Sequence, residues 1–202
     1  MLKGFFGDYQ NLHENESILV LGLGESINLL PATSVLSIGV NDIGRKHTPT
    51  YLLSVNRPGQ YARTDRWQFI INSRAAAIFT QSPGDHANAK IPIVEIEVGT
   101  EAGVEVVGNQ VPHYRNSPYM AVTIAAYMGA KRIGLLGVDF TDNHFWQKDG
   151  PHRLNRELEK INTAYGKLAE HLKSRGTYLR NLSPYSRLAS IPKAEIMEWL
   201  MC

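Results

Sequence analysis

Residues 18–26 read ILVLGLGES, four consecutive aliphatic residues followed by two glycines with one residue between them. A short run that is apolar at every position is typical of a strand buried on both faces, as in a parallel sheet. Glycine directly after such a strand lets the backbone turn sharply toward the next element. The stretch therefore predicts the first central strand of an α/β domain.

Further apolar runs predict more strands, at 35–40, 51–55, 76–80, 92–98, 133–139 and 177–182. A helix is predicted over 119–128, with Ser117 as N-cap and Gly129 at its end, and an amphipathic helix over 153–174. Residues 99–116 show neither pattern and are predicted to form a long loop. Strands that alternate with helices predict a Rossmann-like, doubly wound, mostly parallel sheet in a single domain, 1–202, with its core at about 17–190.

The composition indicates which kinds of partner and which cellular compartment to expect. The 202 residues carry a formal net charge of +2, which gives no electrostatic case for nucleic acid. The single cysteine, Cys202, excludes an internal disulfide, and no apolar stretch is long enough for a transmembrane segment. We expect a cytoplasmic protein, and an oligomer is compatible with the sequence.

Polar and glycine residues follow several of the predicted strands, at the edge where doubly wound sheets bind ligands. The first strand leads into Gly22, Gly24 and Ser26, the second into Asn41 and Asp42. The glycines would let a phosphate approach the backbone, and the amide or carboxylate would bind ribose hydroxyls. Alternatively, the glycines only form a tight turn and Asn41 and Asp42 only form an Asx turn. Ile27 stands at the third glycine of a dinucleotide fingerprint, which disfavours an NAD-binding domain.

The central strand at 133–139 ends in an acidic residue and leads into a histidine-containing loop. Its last residues are Gly137, Asp139 and Phe140, and Asp139 is either a site carboxylate or a cap for nearby N–H groups. His144 and His152 lie in that loop without a third ligand at suitable spacing, so we predict no zinc site. His152 is either a general base beside the ligand or a loop residue before the next helix.

Taken in order, these segments resemble the bacterial sialyltransferase family that decorates lipooligosaccharide, and a related group that includes archaeal hydroxymethylpterin diphosphokinases. The resemblance runs from Ile18 to about Leu188. Its motifs are G-x-G-x-S, a strand-end asparagine, R-x-S-x-Y-M, G-x-D-F, a G-H-type motif before a helix, and N-x-S-x-x-S-x-L. They fall here on Gly22–Ser26, Asn41, Arg115–Met120, Gly137–Phe140, Gly150–His152 and Asn181–Leu188.

The resemblance implies a Rossmann-like fold, a CMP-linked sugar as donor, a saccharide acceptor, His152 as general base and no required metal or other cofactor. Thr141 stands where those sialyltransferases have a phosphate-binding tyrosine, and Thr141, His144 and Arg153 are the candidate replacements. The candidate nucleotide-binding residues are Gly22, Gly24, Ser26, Asn41, Asp42, Arg115, Ser117, Gly137, Asp139, Phe140 and Thr141.

Three functions therefore remain open at the level of the sequence. The first is a sialyltransferase-like glycosyltransferase that uses a nucleotide-sugar donor. The second is a pterin-type diphosphokinase, which needs magnesium held by carboxylates, for which Asp42 and Asp139 are the candidates. The third is a nucleotide-binding module of the same fold without catalysis.

Overall fold

The structure is a computed structural model that describes residues 2–32, 34–148, 150 and 154–201. Within these residues the strands are β1 Lys3–Gly4, β2 Ser17–Leu21, β3 Ser37–Val40, β4 Tyr51–Leu53, β5 Ala77–Thr80, β6 Ile93–Glu95, β7 Glu97–Glu101, β8 Gln110–His113, β9 Arg132–Leu136, β10 Asn143–His144, β11 Gln147–Lys148 and β12 Tyr178–Asn181. The α-helices are α1 Arg66–Ile71, α2 Ser117–Tyr127, α3 Leu158–Ser174 and α4 Ile196–Met201.

The centre of the fold is a parallel sheet whose eight strands, counted over the described residues, have the order β1-β6-β5-β4-β3-β2-β9-β12. From β2 to β6 the chain adds strands in one direction, and it then returns to place β9 on the other side of β2. The strand order therefore reverses between β2 and β9. In open parallel sheets the crevice at this switch point is where ligands bind.

The prediction of a Rossmann-like α/β sheet is confirmed, and the central strands are buried because neighbouring elements cover both of their faces. Ile18, Leu19 and Val20 of β2 have no exposed surface. Helix α2 is buried nearly all round and packs on β2, β3 and β9. None of the helices in the described ranges combines the length and the apolar composition that a bilayer crossing requires.

Three of the elements predicted from the sequence are wrong in their bounds. The predicted strand at 92–98 divides into β6, in the main sheet, and the start of β7, in a separate sheet. The predicted loop at 99–116 contains the end of β7 and all of β8, which pair in parallel outside the main sheet. The residues of β7 are mostly exposed, so the strand lacks the apolar pattern that identifies buried strands. The second predicted helix begins at Leu158 rather than at 153, because a 3₁₀ turn, Asn155–Glu157, precedes it.

The two ends of the described chain pack into the same core. Phe6 is 4% exposed and stacks on Tyr127 at 4.7 Å between ring centroids. Near the other end, Trp199 of α4 is equally buried, and the guanidinium of Arg132 lies 4.9 Å from the centroid of its ring. The core cluster thus runs from Phe6 to Trp199.

Candidate functional site

A cavity of about 730 Å³ opens at the carboxyl ends of β2, β3 and β9, at the switch point of the sheet. Its size is that of an ordinary small-molecule site. It is lined by eight of the residues that the sequence predicts for nucleotide binding: Gly24, Asn41, Arg115, Ser117, Gly137, Asp139, Phe140 and Thr141. Gly22, Ser26 and Asp42 do not line it and have structural contacts instead.

The glycines of the first motif allow the ends of β2 and β9 to approach each other. A Cβ atom on Gly22 would overlap the carbonyl of Gly137, and one on Gly137 would lie 2.7 Å from the carbonyl oxygen of Gly22. A Cβ atom on Gly24 would lie 2.5 Å from Oδ2 of Asp139. Close packing therefore explains why Gly22 and Gly24 have no side chain, and their role in phosphate binding stays a prediction.

Asp139 is a buried cap for the turn after β2. It is 2% exposed and accepts hydrogen bonds from Ser26 N at 2.8 Å and Ser26 Oγ at 2.5 Å. The Ser26 hydroxyl also lies 2.7 Å from that of Ser183, and both accept from the Gly137 N–H. Of the two alternatives that the sequence leaves open for Asp139, these contacts match the cap for local N–H groups.

Asn41 turns the chain at the end of β3 in a left-handed conformation, with φ of 51°. Its Oδ1 accepts from the hydroxyl of Tyr61 at 3.2 Å and from Nδ2 of Asn56 at 3.4 Å. Burial raises the pKa of Tyr61, which keeps that hydroxyl protonated as the donor. Since no hydrogen bond within the described residues uses Nδ2 of Asn41, this amide group is open to a ligand in the cavity.

Asp42 is fully buried and forms an ion pair. Arg66 donates to its Oδ1 through Nε at 2.9 Å and Nη2 at 2.7 Å. Arg45 approaches the other oxygen, with Nε 3.7 Å from Oδ2. This carboxylate is thus bound by protein cations behind the cavity rather than presented to a ribose.

The N-terminus of α2 faces the cavity, and Asn116 caps it rather than Ser117. Oδ1 of Asn116 accepts from Tyr119 N at 3.0 Å and from the hydroxyl of Tyr165 at 2.8 Å. Burial raises the pKa of Tyr119 to about 12 and raises that of Tyr165 well above its usual value. The prediction of Ser117 as N-cap is wrong, because the bond is made one residue earlier, and Ser117 instead lines the cavity.

Three non-glycine residues of the cavity wall have positive φ angles, which residues with a side chain seldom adopt. They are Asn41, Arg115 at 52° and Phe140 at 54°. Arg115 also forms ion pairs with Glu101 at 3.2 Å and Glu157 at 3.5 Å. Such conformations cluster at ligand sites, where the surrounding structure has to maintain them.

Thr141 begins the loop that covers one side of the cavity. Its Oγ1 is buried and has no hydrogen-bond partner among the residues described. The hairpin β10–β11 follows and is fixed to the turn after β2, since Phe145 N donates to the Leu23 carbonyl at 3.0 Å and His144 bridges to Gly24. The buried hydroxyl at 141 is a polar group that a ligand or water would satisfy.

His152 and Arg153 lie outside the described residues. On either side of them, Gly150 and Leu154 line the cavity.

Several polar residues of the cavity wall were not predicted from the sequence, among them Asn116 and Asp142. Four others come from the segment after β4 up to the start of α1, where the apolar pattern is weak: Asn56, Gln60, Tyr61 and Arg66. The loop signal Asn-Arg-Pro-Gly at 56–59 was the one hint that this segment lies at the ligand edge. A second cavity of about 410 Å³ extends the first toward β7 and β8. The two share five lining residues: Asn56, Gln60, Arg115, Asn116 and Ser117.

Within the described ranges, no group of three or more His, Cys, Asp or Glu side chains is placed to hold a metal ion. Asp42 and Asp139, the carboxylates that a magnesium site would need, are each bound to protein groups. They do not converge as free ligands in the cavity.

The fold is similar to that of solved glycosyltransferases. The MAf glycosyltransferase from Magnetospirillum magneticum AMB-1 matches 96% of this chain with a TM-score of 0.63 and 11% identity, and the chain spans 39% of that protein. The sialyltransferase CST-II, in complex with a trisaccharide acceptor and CMP, matches 88% of this chain and 85% of its own, with a TM-score of 0.54 and 14% identity.

The sialyltransferase CstII from Campylobacter jejuni, in complex with cytidine-5′-monophosphate, matches 89% of this chain and 85% of its own, with a TM-score of 0.50 and 12% identity. No protein-family model and no curated protein matches the sequence. The relation to archaeal diphosphokinases has no support in these matches. At such identities the likeness to the sialyltransferases concerns the fold.

Proposed function

We propose that this chain is a sialyltransferase-like glycosyltransferase that transfers a sugar from a CMP-activated donor to an acceptor hydroxyl. The observation that carries the proposal is the cavity of about 730 Å³ at the switch point, lined by eight of the candidate nucleotide-binding residues. Two solved proteins of similar fold were obtained with CMP bound. A nucleotide at the carboxyl ends of the strands is the general arrangement of such sheets.

The donor's nucleotide is held by polar groups that the fold keeps in fixed positions. The free amide of Asn41 is stabilised in its orientation by the two hydrogen bonds that its oxygen accepts. Ser117 lies in the first turn of α2, where unpaired N–H groups favour an anion. The backbone at Gly24 forms the floor between these two residues.

In the proposed reaction His152 acts as general base. An acceptor hydroxyl attacks the anomeric carbon of the donor sugar and its proton passes to the imidazole. The bond between that carbon and the phosphate oxygen breaks, and CMP leaves with the electron pair. Support for residue 152 comes from the chain on either side of it, since Gly150 and Leu154 line the cavity.

A diphosphokinase activity is less favoured than glycosyl transfer by the contacts of the two candidate carboxylates. It requires a magnesium ion bridging phosphate oxygens and held by carboxylates. Asp42 is paired with Arg66 through Oδ1, and its other oxygen is buried outside the cavity. Asp139 caps the turn at Ser26. Either residue would have to give up buried contacts to bind a metal, at a cost of several kcal/mol for an unpaired buried charge.

The test is release of CMP from CMP-sialic acid, with and without a panel of saccharide acceptors. Parallel reactions with ATP and magnesium test the diphosphokinase. The proposal predicts CMP release that an acceptor accelerates and that EDTA does not abolish. Tight CMP binding without any turnover would favour the non-catalytic module, and turnover of ATP alone would overturn the proposal.

A further inference from the structure

The guanidinium of Arg66 is held in one orientation at the wall of the cavity. Nε and Nη2 both donate to Oδ1 of the buried Asp42. The guanidinium carbon also lies 5.0 Å from the ring centroid of Tyr61 and 5.5 Å from that of Trp146. A side chain fixed by an ion pair and two rings has already lost the rotamer freedom that ligand binding would otherwise remove.

One edge of this guanidinium remains available. An arginine has five N–H donors, and no hydrogen bond among the described residues uses Nη1 of Arg66. The side chain is 24% exposed and lines the larger cavity, whereas Asp42 does not. The unused amino group is therefore the part of Arg66 that a ligand can reach.

The charges around Asp42 nearly balance, but of these groups only Arg66 lines the cavity. Two arginines, Arg45 and Arg66, share the one buried carboxylate. The additional partner of Arg45 is Asp65, which is 63% exposed, so that water and salt screen its charge. The charge that this group presents to the cavity is therefore the guanidinium of Arg66, which favours an anionic ligand group beside it.

The same cavity contains the hydroxyl of Thr141, which is buried and lacks a partner within the described chain. A guanidinium edge and a hydroxyl are complementary to a phosphate. Both donate hydrogen bonds to its oxygens, and the guanidinium also carries a positive charge. We propose that Arg66, together with Thr141, binds the phosphate of the donor nucleotide. This inference rests on the proposed function and names Arg66 as a binding residue of the same site.

The experiment compares Arg66→Lys with Arg45→Lys by calorimetric titration of CMP and of cytidine. Arg45 is the matched control, since it also contacts Asp42 and lies 5.0 Å from the Trp146 ring centroid but does not line the cavity. The Arg66→Lys variant keeps a cation beside Asp42. It lacks the planar guanidinium, which can donate to Asp42 on one edge and to a ligand on the other. We expect Arg66→Lys to weaken CMP binding about tenfold to a hundredfold, with cytidine binding and the Arg45→Lys variant within about twofold of the parent.

A titration with inorganic pyrophosphate separates this inference from the proposed function. Pyrophosphate binding that Arg66→Lys weakens and Arg45→Lys does not supports the anion site even if the parent fails to bind CMP. Equal CMP affinity in Arg66→Lys and the parent overturns the inference and leaves the proposed function intact. An equal loss for cytidine and CMP also overturns it, because the phosphate would then not be the group that Arg66 binds.

Discussion

Gly24 lines the cavity and is also closely packed against Asp139. A side chain there would meet Cγ of Asp139 at 2.6 Å and Cβ at 2.9 Å, as well as its carboxylate oxygen. Asp139 cannot withdraw easily, since Ser26 holds it through two hydrogen bonds. A substitution at Gly24 therefore affects folding as well as any bound phosphate.

We predict that Gly24→Ala lowers the free energy of unfolding by about 1–3 kcal/mol, the usual cost of overpacking. The control is Gly84→Ala, since a Cβ atom at Gly84 has no neighbour within 4 Å. Urea denaturation of the parent and both variants measures the difference. Equal stability of the two variants would show that Asp139 moves aside without loss.

The role of His152 is tested by His152→Ala. If the imidazole takes the acceptor's proton, turnover should fall about 10²–10⁴-fold while CMP affinity stays nearly unchanged. His171→Ala is the control, because His171 lies on α3 and does not line the cavity. CMP release and a CMP titration on the same samples give both quantities. Turnover of His152→Ala equal to that of the parent would remove this residue from the mechanism.

At the scale of the elements, α2 connects the core to the cavity through its cap. Eight residues of the helix are buried, and its first turn opens on the ligand site. Asn116 holds the helix start to Tyr119 N and also to the hydroxyl of Tyr165 on α3. The orientation of the cavity wall thus depends on one amide side chain.

Asn116→Ala should lower the free energy of unfolding by about 2 kcal/mol, since it removes an N-cap and leaves the buried Tyr165 hydroxyl without its acceptor. Asn116→Asp keeps the accepting oxygen and should retain most of the stability. Thermal or urea denaturation measures both changes. A loss as large in the aspartate variant would contradict the capping role.

The 3₁₀ turn after β5 carries a buried histidine whose protonation opposes folding. Burial lowers the pKa of His86 below 6.5, despite the carbonyl of Ser82 and the charge of Asp85, which act in the opposite direction. Below pH 6.5 the unfolded chain therefore binds a proton that the folded chain resists, and the free energy of unfolding falls with decreasing pH. His47, whose pKa burial also lowers, acts in the same direction.

We expect the parent to lose stability between about pH 7.5 and about pH 5.5, and His86→Gln to lose less over the same interval. Urea denaturation at the two values gives the comparison, and the double variant with His47→Gln should lose less still. The same loss in the parent and in His86→Gln would exclude His86 as a source of the pH dependence.

At the scale of the whole molecule, the sequence predicts the fold well because buried parallel strands are apolar at every position. The run at 18–21 and the residues after it identify both the sheet and its ligand edge. The strand β7 could not be predicted from apolar residues, because it is mostly exposed and pairs with β8 outside the main sheet. The short α1 is too brief to show a helical period.

The site is predicted only in part, because its residues are brought together by the topology rather than by local patterns. The ends of β2 and β9 are over a hundred residues apart in sequence, yet Asp139 and Ser26 are in contact. Eight of the candidate nucleotide-binding residues line the cavity, but the sequence cannot show that Asp42 faces Arg66. Ionic contacts between distant segments have no periodicity from which they can be inferred.

The central claim is that a cytidine nucleotide binds at the switch point between β2 and β9. The most direct measurement is a calorimetric titration of the parent protein with CMP in the presence of EDTA, beside ATP with magnesium and NAD. The account predicts saturable CMP binding in EDTA, and a ligand present at about 100 times its Kd should add roughly 2.7 kcal/mol of stability. Binding of ATP that requires magnesium, with none for CMP, would contradict it.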